Sequence, residues 1–210
     1  MTLLVKLQYD SEMPRLSSQE ASSPQPPHPL AVALIDRLRG RNAVRVMDLG
    51  YGRGRNTAPL RAAGFEVSSV DDERAADATS ITAIPGGFDA VLATHALLHG
   101  TPQGIAERID AVAGRLAPGG LFAATFASVR DARYGTGERI TDQTFAPLEG
   151  DECGVPHAYY DEARLRAVLG AYFTVESLEE RNVDEIAGGW AHPTAPLRGA
   201  VHWFVMAAKR

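Results

Sequence analysis

The segment VRVMDLGYGRGRNTAPL, residues 44–60, places three glycines at alternate positions between an apolar strand and a helix. Glycine is needed where a tight strand-to-helix turn has unusual backbone angles, and again where a ligand approaches the main chain. Gly50, Gly52 and Gly54 meet both needs. The amides at the start of the next helix favour an anionic group. The segment therefore predicts a strand–loop–helix unit with a ligand over the loop.

The spacing of these glycines departs from two familiar nucleotide-binding loops. A dinucleotide fingerprint would need its third glycine at position 55, where this chain has Arg55, and no Gly-Lys-Ser/Thr follows as in a phosphate-binding P-loop. Asp71 lies at the end of the second predicted strand, 21 residues after Gly50. A carboxylate there can accept both hydroxyls of a ribose. The pattern indicates a nucleoside whose anionic group need not be a pyrophosphate.

The rest of the chain alternates strands with amphipathic helices. Helices are predicted in HPLAVALIDRLRG, NTAPLRAAG, residues 102–116 and DEARLRAVLG, and strands in residues 44–49, FEVSSVDD, GFDAVLAT, LFAATF, FTVESLEE and AVHWFVMAAK. Such alternation indicates a parallel sheet with right-handed crossovers. No helix separates the last two strands, so the final strand should run antiparallel. Residues 129–156, rich in glycine and acidic residues, are predicted to be irregular.

Length and composition indicate one soluble domain. The 210 residues suit a single α/β domain, residues 28–210. Residues 1–27 precede it as a flexible tail or as a flap that docks on the domain, and SSQEASSPQPPHP within them cannot pack as a regular element. The net charge of −5 argues against a nucleic-acid surface. No apolar run approaches the roughly 20 residues of a membrane span. The single cysteine, Cys153, excludes an internal disulfide and fits a reducing cytoplasm.

Four segments together resemble one enzyme family. VMDLGYGRGRNTAPLRAAGFEVSSVDD resembles motifs I and II of the class I S-adenosylmethionine-dependent methyltransferases. GGFDAVLATHALLH is similar to their fourth-strand motif, and AGRLAPGGLFAATF to the helix and fifth strand that follow. GRGRNT and PHAYYDEARLRAVL are similar to the tellurite-resistance and thiol methyltransferase groups. The resemblance implies a Rossmann-like, doubly wound sheet of the seven-stranded type, a C-terminal antiparallel hairpin, and S-adenosylmethionine as the cofactor.

The same resemblance implies which residues bind the cofactor. Gly50, Tyr51 and Gly52 would lie under its methionine part, and Asp48 would orient its amino end. Asp71 would bind the ribose hydroxyls. The other implied contacts are Asp72, Asp77 and Ala78 near the adenine, and Thr94 and His95 beside the methionine moiety.

The chain departs from the family at two places. Tyr51 stands where the family commonly has cysteine, and its larger ring would cover part of the pocket. Asp77 follows Asp72 after only five positions, where the family usually has a helix and an edge strand. That third strand and its helix are therefore expected to be largely missing. A more open adenine side, with weakened cofactor binding or none, would follow.

Methyl transfer from a sulfonium needs a nucleophile held ~3–3.5 Å from the methyl carbon and protected from water. A general base is required only if the acceptor arrives protonated. His99, His157 and Tyr160 are the candidate catalytic residues, although each can equally be structural. His95 and His99 lie four positions apart and would share a face if this segment were helical, which suits a metal, but no third ligand is evident and no metal site is predicted.

The predicted acceptor is a small molecule, with neither nucleic acid nor membrane as partner and with the oligomeric state open. The acidic residues Glu149, Asp151 and Glu152 would either select a cationic substrate or form a solvated face. A non-catalytic binding or assembly module with the same fold is the alternative, motivated by the short stretch after Asp72. An NAD(P) oxidoreductase is a weaker option, because the third glycine and the terminal hairpin argue against it.

Overall fold

The protein is described by a computed structural model that covers residues 25–42, 44–71, 77–150, 152–184, 186 and 198–210. Nearly all of the predicted N-terminal tail lies outside these residues, and so does Asp72. The division into a tail and one domain therefore stays a prediction.

A central mixed sheet carries the fold. Four strands run parallel in the spatial order β2–β1–β3–β4, and their bounds are β1 Arg45–Leu49, β2 Glu66–Val70, β3 Phe88–Ala93 and β4 Leu116–Ser128. The last strand of the chain, Val201–Lys209, pairs antiparallel with β4, and Phe173–Asn182 pairs antiparallel with that last strand. The predicted parallel sheet and its antiparallel C-terminal hairpin are both confirmed.

Helices cover both faces of this sheet. Their bounds are α1 Pro29–Leu38, α2 Thr57–Ala62, α3 Ala78–Thr82, α4 Pro102–Arg115 and α5 Glu162–Gly170. Leu34 of α1 and Leu60 of α2 are fully buried in the core on one face. Ile81, Ile105 and Leu165, from the other three helices, are fully buried on the opposite face. The doubly wound arrangement inferred from the sequence is therefore present.

Strand β2 pairs only with β1 in the part of the chain that the structure describes. The described link from there to β3 contains one five-residue helix, α3, and no strand. The third, edge strand of the seven-stranded pattern is thus missing from the described residues, as the short spacing predicted.

The prediction that residues 129–156 are irregular is wrong for part of that segment. Strands β5, Glu138–Thr141, and β6, Thr144–Ala146, form a hairpin, and β6 pairs antiparallel with β7, His157–Tyr160. β7 joins this small sheet to the carboxyl end of β4, in parallel. Strands of three or four residues are too short to show an apolar period, so only the tertiary pairing reveals them. In chain order the hairpin strands Phe173–Asn182 and Val201–Lys209 are therefore β8 and β9.

Candidate functional site at the carboxyl edge of the sheet

The glycine loop folds back onto the end of the neighbouring strand. The amides of Gly50 and Tyr51 both donate to the carbonyl of Val70, at 2.8 and 3.2 Å. Gly50 and Gly52 have φ angles of 70° and 51°, in the left-handed region that favours glycine. The fold-back places Asp71, the residue after β2, beside the loop. The structure thus brings together the predicted loop and the predicted ribose carboxylate.

Asp48 stabilises the loop through a hydrogen bond to the start of α2. Its side chain is buried and accepts a hydrogen bond of 2.5 Å from the hydroxyl of Thr57, at the start of α2. Burial raises the pKa of Asp48, and the Thr57 bond opposes that shift only in part. Since Asp48 lies near the end of β1 and Thr57 opens α2, their bond holds the two ends of the loop together.

Asn56 ties three elements together beside the loop. Its carbonyl oxygen accepts from the backbone amide of His28, and its side-chain amide donates to the hydroxyl of Thr94, both at 2.9 Å. These bonds connect the start of α1, the start of α2 and the end of β3. Sequence analysis did not single out Asn56, and the one signal in the sequence is its place as a polar residue immediately before a helix.

The predicted adenine-side residues lie at the next helix. Asp77 caps α3, because its carboxylate accepts from the amides of Thr79 and Ser80 at 2.9 and 3.1 Å, and from the Ser80 hydroxyl at 2.8 Å. The hydrogen bond from the Ser80 side chain is the main reason that the pKa of Asp77 is lowered. Ala78 is the first residue of the same helix.

Three imidazoles line the interior next to the loop. The ring of His95 lies 5.2 Å from that of His28 and 5.4 Å from that of His202, between ring centres. Burial lowers the pKa of His28 and of His202 to about 3, and that of His95 well below its ordinary value. The three rings are therefore neutral at physiological pH. Sequence analysis found only His95, because His28 and His202 reach it from distant parts of the chain.

His95 itself has a left-handed backbone, with φ of 61°, which is rare for a residue other than glycine. Its amide donates to the hydroxyl of Thr125 in β4 at 2.8 Å. The bond holds the chain in this conformation at the point where it leaves β3, so the imidazole position is set by the sheet.

A second cluster joins two of the predicted catalytic residues. Glu152 lies between both histidines: one carboxylate oxygen is 3.1 Å from Nε2 of His99, and the other is 3.1 Å from Nε2 of His157. The two imidazole rings meet edge to face, with centres 4.8 Å apart. Sequence analysis considered Glu152 only as part of an acidic run. The structure brings Glu152 to His99 and His157. The predicted pairing of His95 with His99 on a helical face is wrong, because residues 95–98 are not helical. His95 instead packs against His28 and His202.

Tyr160, the third predicted catalytic residue, lies deeper. Its side chain is buried against Phe126, edge to face with ring centres 5.9 Å apart, and its hydroxyl has no hydrogen-bond partner among the described residues. Burial raises the pKa of Tyr160 far above its ordinary value. The phenol is therefore neutral and packed in the core, at the end of the strand that begins at His157.

The comparisons with known proteins agree with this architecture. No protein-family profile matches the chain, and no curated protein matches it. Among solved structures, it is similar to the 1,6-didemethyltoxoflavin-N1-methyltransferase of Burkholderia thailandensis, crystallised with S-adenosylhomocysteine, at 20% identity and a TM-score of 0.60, covering 87% of this chain and 77% of that one.

Two further solved structures are similar over most of the chain. An S-adenosylmethionine-dependent methyltransferase from Methanosarcina mazei has 16% identity and a TM-score of 0.64, with 83% of this chain and 96% of that chain covered. TehB from Haemophilus influenzae has 16% identity and a TM-score of 0.54, with 85% of this chain and 62% of that chain covered.

The protein thus has the fold of the class I S-adenosylmethionine-dependent methyltransferases, and the resemblance found in the sequence is confirmed at the level of the fold. The structure further contains no helix long and apolar enough to cross a membrane among its described residues.

Proposed function

We propose that this chain is an S-adenosylmethionine-dependent methyltransferase that acts on a small-molecule acceptor. The observation that carries the proposal is the fold-back of the glycine loop onto the Val70 carbonyl, which sets Asp71 beside Gly50 and Gly52 at the carboxyl edge of the sheet. Open α/β sheets bind their ligands at this edge. Two solved proteins with the same fold, represented by three structures, hold S-adenosylmethionine or S-adenosylhomocysteine.

In this proposal the cofactor lies along the loop. Asp71 accepts the ribose hydroxyls, and Asp72, Asp77 and Ala78 border the adenine. Gly50, Tyr51 and Gly52 lie under the methionine part, where Asp48, Thr94 and His95 complete the floor. The side chains of Asp48 and Thr94 are hydrogen-bonded to Thr57 and Asn56, so they act by fixing the loop.

The neutral state of three neighbouring imidazoles suits a sulfonium. The cofactor carries a positive sulfur, and a protonated imidazole close to it would be repelled. Burial keeps His28, His95 and His202 neutral by lowering their pKa values. Neutral imidazoles beside the proposed methionine site therefore do not repel the sulfonium.

The chemical step is an in-line displacement on the methyl carbon, which needs positioning and exclusion of water more than acid–base groups. We place His99 and His157 on the acceptor side, where, in the metal-free protein, an imidazole can take the proton from an acceptor that arrives as an alcohol, phenol or ammonium. We assign Tyr160 a positioning role, because its buried ring supports the strand that carries His157.

A small-molecule acceptor is supported by two observations. The chain has a net charge of −5, which is unfavourable for a nucleic-acid backbone. The similar solved structures include methyltransferases for 1,6-didemethyltoxoflavin and for magnesium protoporphyrin IX. The acceptor atom is left open, and a cytoplasmic location stays a prediction.

Calorimetric titration of the purified chain with S-adenosylmethionine and S-adenosylhomocysteine, with NADH as the control, tests the proposal. We expect micromolar binding of both adenosyl ligands and none of NADH. Binding of NADH alone would indicate an oxidoreductase. If no adenosyl ligand binds, the proposal fails, and the non-catalytic binding or assembly module becomes the better interpretation.

A further inference from the structure

The cluster of His99, Glu152 and His157 is built by three separate parts of the chain. His99 lies in the link from β3 to α4, His157 begins β7, and Glu152 lies in the turn before that strand. Backbone pairing fixes the two histidines, because Gly100 donates to the carbonyl of Pro156 at 2.7 Å and Ala158 donates to that of Leu98 at 3.0 Å.

Arg108 holds the link that carries His99 in place. This buried arginine of α4 donates to the backbone carbonyls of Ala96 and Gly104, both at 3.3 Å, and to that of His99. The position of His99 is therefore set by a side chain bonded to several carbonyls, and the cluster is held more firmly than an exposed loop would allow.

A hydrogen bond to a backbone carbonyl determines that Nδ1 of His157 carries a proton. Nδ1 of His157 lies 2.8 Å from the carbonyl of Val155, which can only accept, so Nδ1 carries the proton. Nε2, on the other side of the ring, lies 3.1 Å from a carboxylate oxygen of Glu152. Either a proton or a metal ion between these two atoms satisfies both of them.

The distances and the donor set match a metal site. Bonds of ~2.0–2.2 Å from a divalent ion to nitrogen and oxygen place neighbouring ligand atoms about 3 Å apart. Nε2 of each histidine lies 3.1 Å from a different oxygen of Glu152, and one ligand atom from each of the three residues lies within 4.8 Å of the other two. Two imidazoles with one carboxylate suit first-row transition metals, and a ligating histidine usually donates its other N–H to a carbonyl, as His157 does.

One side of the cluster is accessible. The side chain of His157 is 3% exposed, that of Glu152 is 18% exposed and that of His99 is 38% exposed. An ion bound here would keep positions open toward solvent for water or a small molecule, which is how catalytic metal sites differ from structural ones.

We propose that His99, Glu152 and His157 bind a divalent transition-metal ion of the Zn²⁺ class. Metal binding at this site does not depend on the proposed methyl transfer, because none of the three residues belongs to the glycine loop. In the metal-bound protein the two histidines are ligands, so neither imidazole nitrogen that faces Glu152 serves as a base.

The test is a titration of tag-free, chelator-treated full-length protein with Co²⁺, followed by its visible ligand-field absorption, and with Zn²⁺ by calorimetry. Neither adenosyl ligand is present, so the outcome is independent of cofactor binding. We expect one ion per chain, and a loss of affinity of at least about tenfold in each of Glu152→Gln, His157→Gln and His99→Gln. His99→Gln changes a partly exposed side chain, which keeps the test valid if the buried His157 variant does not fold.

Matched controls lie in the same segment. Glu149→Gln removes an equal charge from an exposed position, and Cys153→Ser removes the exposed thiol next to Glu152. Both should bind the metal as the wild-type protein does. The proposal is overturned if the wild-type protein binds no ion, in which case a proton occupies the cluster, or if His99→Gln and Glu152→Gln bind as tightly as the wild-type protein.

Discussion

The side-chain amide of Asn56 donates to the hydroxyl of Thr94 at 2.9 Å, and this bond connects the end of the glycine loop to the end of β3. The carbonyl oxygen of the same amide accepts from the backbone of His28. One buried side chain thus holds together three segments that surround the proposed cofactor site, although it carries no charge.

We expect Asn56→Ala to destabilise the protein by about 2–4 kcal/mol, because it leaves two buried polar groups without their partner. Thermal or denaturant unfolding measures the change. Arg53→Ala, an exposed change in the same loop, is the control and should unfold like the wild-type protein. Equal stability of the two variants would contradict a joining role for Asn56.

Gly52→Ala should separate ligand binding from stability. A Cβ at Gly52 meets no atom of the protein within 4 Å, so the cost in the free protein is only the strain of φ 51°, about 1 kcal/mol. A cofactor packed on the loop would collide with the added methyl group. We expect S-adenosylhomocysteine affinity to fall more than tenfold by calorimetry, while the melting temperature changes little.

Gly64→Ala is the matched control for that variant. Gly64 also has a left-handed φ, 89°, and open space where the added methyl group would lie, but it follows the C-terminal end of α2, away from the loop. The Gly64→Ala variant should be strained to a similar degree but should bind S-adenosylhomocysteine with normal affinity. Equal losses of affinity in both variants would argue against a ligand over Gly52.

Asp71→Ala should weaken S-adenosylhomocysteine binding by roughly 1–3 kcal/mol, the loss expected for hydrogen bonds to a charged group. Calorimetry on both proteins gives the difference directly. Asp36→Ala, which removes an exposed carboxylate on α1, is the control and should bind normally. Undiminished affinity in Asp71→Ala would place the ribose elsewhere.

The buried histidines should make the protein less stable in acid. His28 has a pKa of about 3 in the folded state and an ordinary value near 6.5 when unfolded. Below about pH 6.5 the unfolded chain binds a proton that the folded chain does not, so stability falls as the pH falls. Each fully shifted histidine contributes about 1.4 kcal/mol of loss between roughly pH 7.5 and pH 5.5. The raised pKa of Asp48 acts in the opposite direction at lower pH.

Denaturant unfolding at several pH values measures this dependence, and His28→Asn isolates one contribution. Asparagine can still accept the amide of Leu30, which Nδ1 of His28 accepts at 3.1 Å at the start of α1, but it does not titrate. In this variant the free energy of unfolding should fall less steeply with decreasing pH, by the contribution of one histidine. An unchanged slope would show that His28 does not contribute to the acid sensitivity.

The sequence alone determined the layered α/β fold, because this fold depends on local properties of the chain. These are the apolar periods of about 2 and 3.6 residues and the glycines between strands and helices. The sequence also located the glycine loop and Asp71, and it predicted that an edge strand would be lacking, since each depends on spacing along neighbouring segments. No such strand occurs among the described residues. The short strands β5, β6 and β7 could not be predicted from the sequence, because strands of three or four residues are too short to show an apolar alternation.

Which residues meet in the two histidine clusters depends on the tertiary structure alone. His28 and His202 reach His95 from opposite ends of the described chain, and Glu152 reaches His99 across more than fifty positions. Local sequence rules describe which side chains share a helix face or a strand face, and they hold no information about contacts between distant segments. The sequence therefore placed the glycine loop, whereas the folding of the β5–β7 sheet onto the end of β4 created the cluster of two histidines and Glu152.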